Sequence, residues 1–377
     1  MSSQPTSSIE QHKYLTDCYV FRWDNQTLCA DLILTLAIAF CLLIGIASGH
    51  PAAGMIAAGG AMNTGFGKKQ VIYQSTFLPM ALVTLGMALA GFLGVLVGHD
   101  GEWIVPLVAL CAFGYGMLTT RTDGCAWVAQ QVIITLLVAS AFPAPLKQAA
   151  ERGALLLVGG LLQLVFSGLL FPQFSQIRTR ARELREHLLR EEAALRSSVA
   201  SMADSLWQKK ILNSALPYAL RLTFALAIAT EISRRLHYPS GYWIPMTAFV
   251  VLKPAVVDTV NRVAARTLGT IAGAVLMSFL LVYLHPGLLL LALFTFVFAW
   301  LGYAFVNVNY ALFTFTITGY IVFLLSLDKI PGPEVAVHRT ICTLIGAAIA
   351  VSVRLLVISR HRTLWQRVLT VMSLKTT

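Results

Sequence analysis

Charge is what this 377-residue chain has least of: Asp, Glu, Lys and Arg make up 12% of it, about half the share usual in soluble domains. Acids are scarcer than bases, 17 against 28, for a formal charge of +11. The six cysteines show no paired spacing of the disulfide or zinc kind. Cys41, Cys111, Cys125 and Cys342 sit inside apolar runs as small fillers. No metal-ligand cluster, Walker loop or nucleophile elbow is spelled, so no cofactor and no metal is expected, and an enzyme is not the reading. The start is polar through Asn25 and lacks the basic-then-apolar pattern of a cleaved signal.

What the chain has in excess is apolar length, with 57% hydrophobic residues. At roughly 20 apolar residues per spanning helix, spans are expected at 32–48, 77–97, 124–142, 153–171, 215–232, 263–284, 288–305, 310–327 and 335–357. Shorter apolar stretches at 52–66, 103–118 and 242–252 suit short or re-entrant helices, which need protein or a cavity around them at membrane depth. The expected fold is all-α: a polytopic membrane protein of about twelve transmembrane helices. Lys68, Lys69, Arg121, Lys253, Arg262, Arg266 and the basic run from Arg178 to Arg196 fall in alternate connections. The positive-inside rule then places those connections and both termini in the cytoplasm. Topology thus accounts for the positive charge, so lipid is an expected partner and nucleic acid is not.

Laid on itself at an offset of about 188 residues, the sequence brings Gly114-Tyr115 onto Gly302-Tyr303 and His50-Pro51 onto Tyr238-Pro239. One residue of slippage sets Arg152 and Gly159 on Arg339 and Gly346. The chain divides accordingly into a cytoplasmic segment 1–29, a first transmembrane repeat 30–172, a linker 173–213, a second repeat 214–358 and a basic tail 359–377. An even number of spans in each half makes the two six-helix repeats parallel. In the linker, Ile177, Ala181, Leu184, Leu188, Leu195, Val199, Met202 and Leu206 recur at helical spacing among Arg and Glu. That pattern is one amphipathic cytoplasmic helix, either a dimer-forming or gating element or a linker resting on the bundle.

The most informative stretch runs from Gly241 to Val275. It carries the aromatic pair Tyr242 and Trp243, then Thr247, Lys253-Pro254, Thr259, Arg262, Arg266, Gly269-Thr270 and Gly273. This pattern resembles the fusaric acid resistance family, which includes bacterial aromatic acid exporters. Arg339 followed by Gly346 also fits. The resemblance implies substrate-binding roles for Tyr242, Trp243, Thr247, Lys253, Arg262 and Arg266, and a gating role for Arg339. It also admits a periplasmic adaptor protein and a homo-oligomer as partners. The first half departs from the pattern: the Gly- and Ala-rich stretch from His50 to Lys69 offers Asn63, Lys68 and Lys69 instead. The large soluble domain of longer exporters is reduced here to one helix.

Residue chemistry independently favours an organic anion. Arg262 and Arg266 are four apart and share a helix face with Asp258 one turn earlier. Ionisable groups at membrane depth normally face a pathway or a partner, and the guanidinium fork matches a carboxylate. Pro254 after Lys253 breaks the helix beside a cation. Tyr242 and Trp243 could stack on an aromatic ring. Each feature has a plainer alternative: an Asp258–Arg262 ion pair, an Arg266 anchor to lipid phosphate, an interfacial aromatic belt for Tyr242 and Trp243, and helix packing for Gly269 and Gly273. Glu231 is either a proton carrier or the partner of Arg234 and Arg235. The reading is therefore a transporter exporting organic or aromatic carboxylates on the proton gradient. The alternatives are an anion channel and a non-transporting scaffold for envelope assembly.

Overall fold

The computed structural model describes residues 14–25, 27–72, 75–98, 101–119, 123–169, 209–238, 240–328 and 331–373. Among them the chain is helical, with no strand beyond an isolated bridge between Ile72 and Ser75. A short α1 (Thr16–Tyr19) and a 3-10 turn (Trp23–Asn25) precede α2 (Leu28–Ala47), α3 (Pro51–Gly67), α4 (Phe77–Val97), α5 (Ile104–Leu118), α6 (Asp123–Ser140) and α7 (Leu146–Leu169). The second half holds α8 (Lys209–Leu236), α9 (Trp243–Val251), α10 (Val256–Leu284), α11 (Leu288–Phe305), α12 (Tyr310–Ser326) and α13 (Gly332–Ser373). The linker helix expected at 173–213 lies outside the described residues up to 208, as do the side chains of the tail.

Seven helices (α2, α4, α7, α8, α10, α11 and α13) are long and apolar enough to cross a membrane, and the chain is a multi-pass membrane protein. α5, α6 and α12 are apolar but shorter. Among the described residues, seven span-length helices thus stand against the expected twelve or so. α9 has only 9 residues, about half the hydrocarbon thickness at ~1.5 Å per residue. Lipid-facing surface is evident on α10, where Leu268, Val275, Phe279 and Val282 are all exposed. A soluble protein does not leave such an apolar stripe in water. α10 starts at Val256, earlier than the expected 263, because its first two turns carry Asp258, Asn261 and Arg262, which an apolar window passes over.

Pro254 separates α9 from α10, as the sequence predicts, and the backbone groups freed at the break find partners. Tyr218 Oη donates to the Leu252 carbonyl at 3.1 Å, and Arg354 Nη2 to the Pro254 carbonyl at 2.8 Å. Thr259 Oγ1 accepts from the Lys253 N–H at 3.1 Å and is 2.9 Å from the Ala255 carbonyl. Unpaired, each group would cost about 1–3 kcal/mol in this setting, so Thr259 is a structural fixture of the broken helix. At the start of α12 the Asn309 side chain caps the helix by accepting from Leu312 N–H at 3.0 Å.

Packing runs in equivalent pairs. α3 lies on α7 as α9 lies on α13; α4 lies on α6 and α7 as α10 lies on α12 and α13; α5 meets α8 as α11 meets α2. The closest approaches repeat as well. A Cβ on Gly159 would collide with the Ala57 carbonyl, and one on Gly346 would stand 2.5 Å from the Ile244 carbonyl. Gly269 and Gly273 give α10 the same closeness to α12 at Ala311 and Phe315, so they serve helix packing. Two large apolar cores result, and each draws on both halves. One joins α5 and α6 to α8 and α9; the other joins α2 and α3 to α11 and α12.

Candidate functional site

A cavity of about 460 Å³ opens where the two cores meet, walled by α3, α6, α9, α10, α12 and α13. The broken helix supplies Tyr242, Trp243 and Lys253, the first turns of α10 supply Arg262 and Arg266, and α13 supplies Arg339. From the first half, Asn63 lines it, its Nδ2 donating to the Gly59 carbonyl at 3.2 Å. Sequence separation among these groups reaches about three-quarters of the chain, from Asn63 to Arg339, and only helix packing brings them together. Among the described residues four cations line the cavity, and no Asp or Glu does.

The arginines differ in their surroundings. Arg339 is 1% exposed, with its guanidinium 3.9 Å from the centroid of the Trp243 ring. Its Nε and Nη1 have no hydrogen-bond acceptor among the described residues. Arg266 is 7% exposed; Nη1 reaches Tyr310 Oη at 3.4 Å, while Nε has no acceptor. Arg262 is half-buried at the rim, stacked 4.0 Å from the Tyr310 ring centroid, with its Nε 3.2 Å from Asp17 Oδ2. The carboxylate paired with it is therefore Asp17, 245 residues upstream, and not Asp258, which is exposed at the start of α10 and does not line the cavity. Nor is Arg266 a surface residue positioned for lipid phosphate, since it is buried inside the bundle.

Tyr242 and Trp243 are buried with ring centroids 5.1 Å apart, which places them in the cavity wall rather than in an interfacial belt. Thr247 is fully buried but turns to α13, packing where Gly346 passes, and is not among the lining residues. Glu231 also lies away from the cavity. It accepts from Arg234 Nε and Nη2 at 2.9 and 3.0 Å and pairs with Arg235.

Several lining residues escaped the sequence reading: Trp127, Gln130 and Gln131 on α6, and Tyr310, Phe313 and Tyr320 on α12. The adjacent glutamines inside an apolar span were the available signal. A second omission lies behind the wall. Asp31, 1% exposed on α2, holds Lys69 Nζ at 3.0 Å, and Lys69 also donates to the Tyr303 carbonyl. Lys69 is thus committed to an internal ion pair. Its neighbour Lys68, past the end of α3, has its pKa pushed down to about 8 by burial, with Asp31 partly offsetting the shift.

Residues 225–353 match the family described as fusaric acid resistance protein-like, the family resembled by the stretch from Gly241 to Val275. A protein of Synechocystis sp. is 34% identical over 149 residues, which cover 39% of this chain and 20% of that protein. YhfK of Escherichia coli is 33% identical over 142 residues, 37% of this chain and 20% of its own length. The Escherichia coli inner membrane protein YccS is 35% identical over 136 residues, 35% of this chain and 18% of its own length. The chain thus spans about a fifth of the length of these relatives. No solved structure matches.

Proposed function

Proceeding from the fusaric acid resistance-like region of its second half, we propose that the protein is a bacterial inner-membrane transporter that exports organic, chiefly aromatic, carboxylates on the proton gradient. One observation carries the reading. The central cavity is lined by four cations and no carboxylate, and buried donor atoms of Arg266, Arg339 and Tyr320 lack acceptors among the described residues. A buried cation without a partner is strongly unfavourable, and an entering anion removes that cost. Trp127, Tyr242, Trp243 and Phe313 supply flat apolar faces around it, and a volume of about 460 Å³ suits a single small ligand.

In this reading Arg266 and Arg339 grip the carboxylate, Lys253 and Arg262 attract it at the rim, and Asn63 closes the cavity from the first half. The two halves are parallel repeats, 30–172 and 214–358, that rock against each other about the cavity. The equivalent helix pairings and the repeated glycine contacts support the repeats. The positive-inside pattern supports cytoplasmic termini. The inner-membrane location is drawn from the relative named for it. Asp258 and Glu231 stand outside the cavity, so any part they play in coupling acts at a distance. The lining residues described all come from one chain.

The test is efflux from proteoliposomes loaded with benzoate, cinnamate or an aliphatic acid. Saturable efflux of the aromatic acids is expected, faster with a proton gradient and slowed by an ionophore. Efflux that does not saturate and ignores the gradient would make the protein a channel. No efflux at all, or wild-type efflux from both Arg266→Ala and Arg339→Ala, would overturn the reading.

A further inference from the structure

Arg262 and Tyr310 line a second, outer cavity of about 660 Å³ as well as the central one. Its other wall is the segment leading into α2, through Thr16, Asp17 and Arg22. That segment is pinned on both sides of Asp17. Before it, Leu15 N–H donates to Asn261 Oδ1 at 2.6 Å, and Asn261 Nδ2 donates to Thr16 Oγ1 at 2.9 Å. Beyond it, Arg22 N–H donates to the Val308 carbonyl at 3.0 Å, and Asn309 Nδ2 donates to the Val20 carbonyl at 2.9 Å. Between the anchors, the Asp17 carboxylate sits on the one arginine shared by the two cavities.

A carboxylate on that guanidinium is the chemistry expected of the transported ligand, supplied here by the chain itself. We infer that the outer cavity is a second carboxylate site, at which an organic acid displaces Asp17 from Arg262 on its way to or from Arg266 and Arg339. This inference rests on the transport reading. The contact is suited to exchange: at 3.2 Å it is longer than the ~2.7–2.9 Å of a tight charge-assisted bond. Both side chains are about a third exposed, 34% and 28%, where ion pairs are weak. Asn261 and Asn309 hold the segment in place without Asp17, so neutralising that residue removes the competitor and leaves the wall standing.

The experiment titrates benzoate against the full chain in lipid nanodiscs, comparing wild type with Asp17→Asn and Asp17→Glu. The asparagine variant should bind about three- to fivefold tighter, the range expected for relief from one half-buried ion pair, and the glutamate variant should stay within about twofold of wild type. Unchanged or weaker binding by Asp17→Asn overturns the site while leaving the central cavity its ligand. Absence of saturable binding by every chain removes the transport reading and this site with it. An independent measurement avoids Asp17 variants altogether. In a chain keeping Cys18 as its sole cysteine, saturating benzoate should slow maleimide labelling of Cys18, because the Asp17 carboxylate, no longer neutralised by Arg262, disfavours the neighbouring thiolate. Labelling unaffected by benzoate overturns the proposal.

Discussion

Arg152 and Arg339, which the sequence offset lays on each other, each lie over an aromatic ring: Phe142 at 4.3 Å and Trp243 at 3.9 Å. Their surroundings differ. Arg152 lines a smaller cavity of about 390 Å³ that also contains Glu151, whereas Arg339 lines the central cavity, where no carboxylate is present. The same contrast separates Lys69, neutralised by Asp31, from Arg266, whose Nε has no acceptor among the described residues. In the first half Lys69 has its counter-charge within the chain. In the second half, buried nitrogens of Arg266 and Arg339 have no acceptor among the described residues, a costly arrangement that is the ground for the proposed ligand site.

The sharpest break of this comparison is to remove the cation on each side. Arg339→Ala should lower benzoate flux on the order of a hundredfold, the scale of losing a buried charge contact, while Arg152→Ala should change it only a few-fold. Arg339→Lys should recover only part, because an ammonium lacks the planar fork. Equal losses from Arg152→Ala and Arg339→Ala, measured in the same liposomes, would mean two comparable sites.

Next in size is the Asp31–Lys69 pair. Removing either partner alone should destabilise the protein by about 3–5 kcal/mol, read as a lower unfolding temperature in detergent. An Asp31→Leu, Lys69→Leu double variant should recover much of that loss. Flux per folded molecule should hardly move. If Asp31→Asn instead abolished flux with stability intact, the pair would belong to the transport cycle and the contrast between the halves would fail.

Smaller still are the glycines at which the halves repeat each other. Gly159→Ala and Gly346→Ala each force a methyl group against a backbone carbonyl and should cost about 1–3 kcal/mol apiece. A large cost at one site and none at the other, in thermal unfolding, would argue that only one half is tightly packed. The smallest effect is electrostatic and concerns Lys68. With its pKa near 8, it carries charge at pH 7 and loses it as pH rises to 9. Raising the pH should therefore raise the apparent KM for an anion by less than about twofold at low salt, and Lys68→Met should abolish that dependence. An unchanged pH profile in Lys68→Met would remove Lys68 as an attractor.

Much of the fold is written locally. Helices 77–97 and 288–305 begin and end where apolar runs do, because a segment in lipid must satisfy its backbone within itself. The break at Pro254 follows from one missing N–H and one ring, and the close approaches at Gly269 and Gly273 follow from small residues spaced by a turn. The cations of the site, Lys253, Arg262, Arg266 and Arg339, were legible for the same reason, since charge in an apolar sequence stands out.

What local pattern could not express is which partner each charge meets. Arg262 lies beside Asp258 in sequence, yet its carboxylate is Asp17. Lys69, offered by the first half in place of the arginine motif, is held by Asp31, while Thr247 sits in the motif yet faces Gly346 rather than the cavity. The sequence by itself determined a membrane-embedded helical chain with a cationic, aromatic segment around a broken helix, because hydropathy, proline and glycine act over a few residues. Only the tertiary structure decided which cations are answered within the chain and which are left facing a cavity. Pairing across hundreds of residues is set by how α3, α6, α9, α10, α12 and α13 pack, and no short window of sequence contains that information.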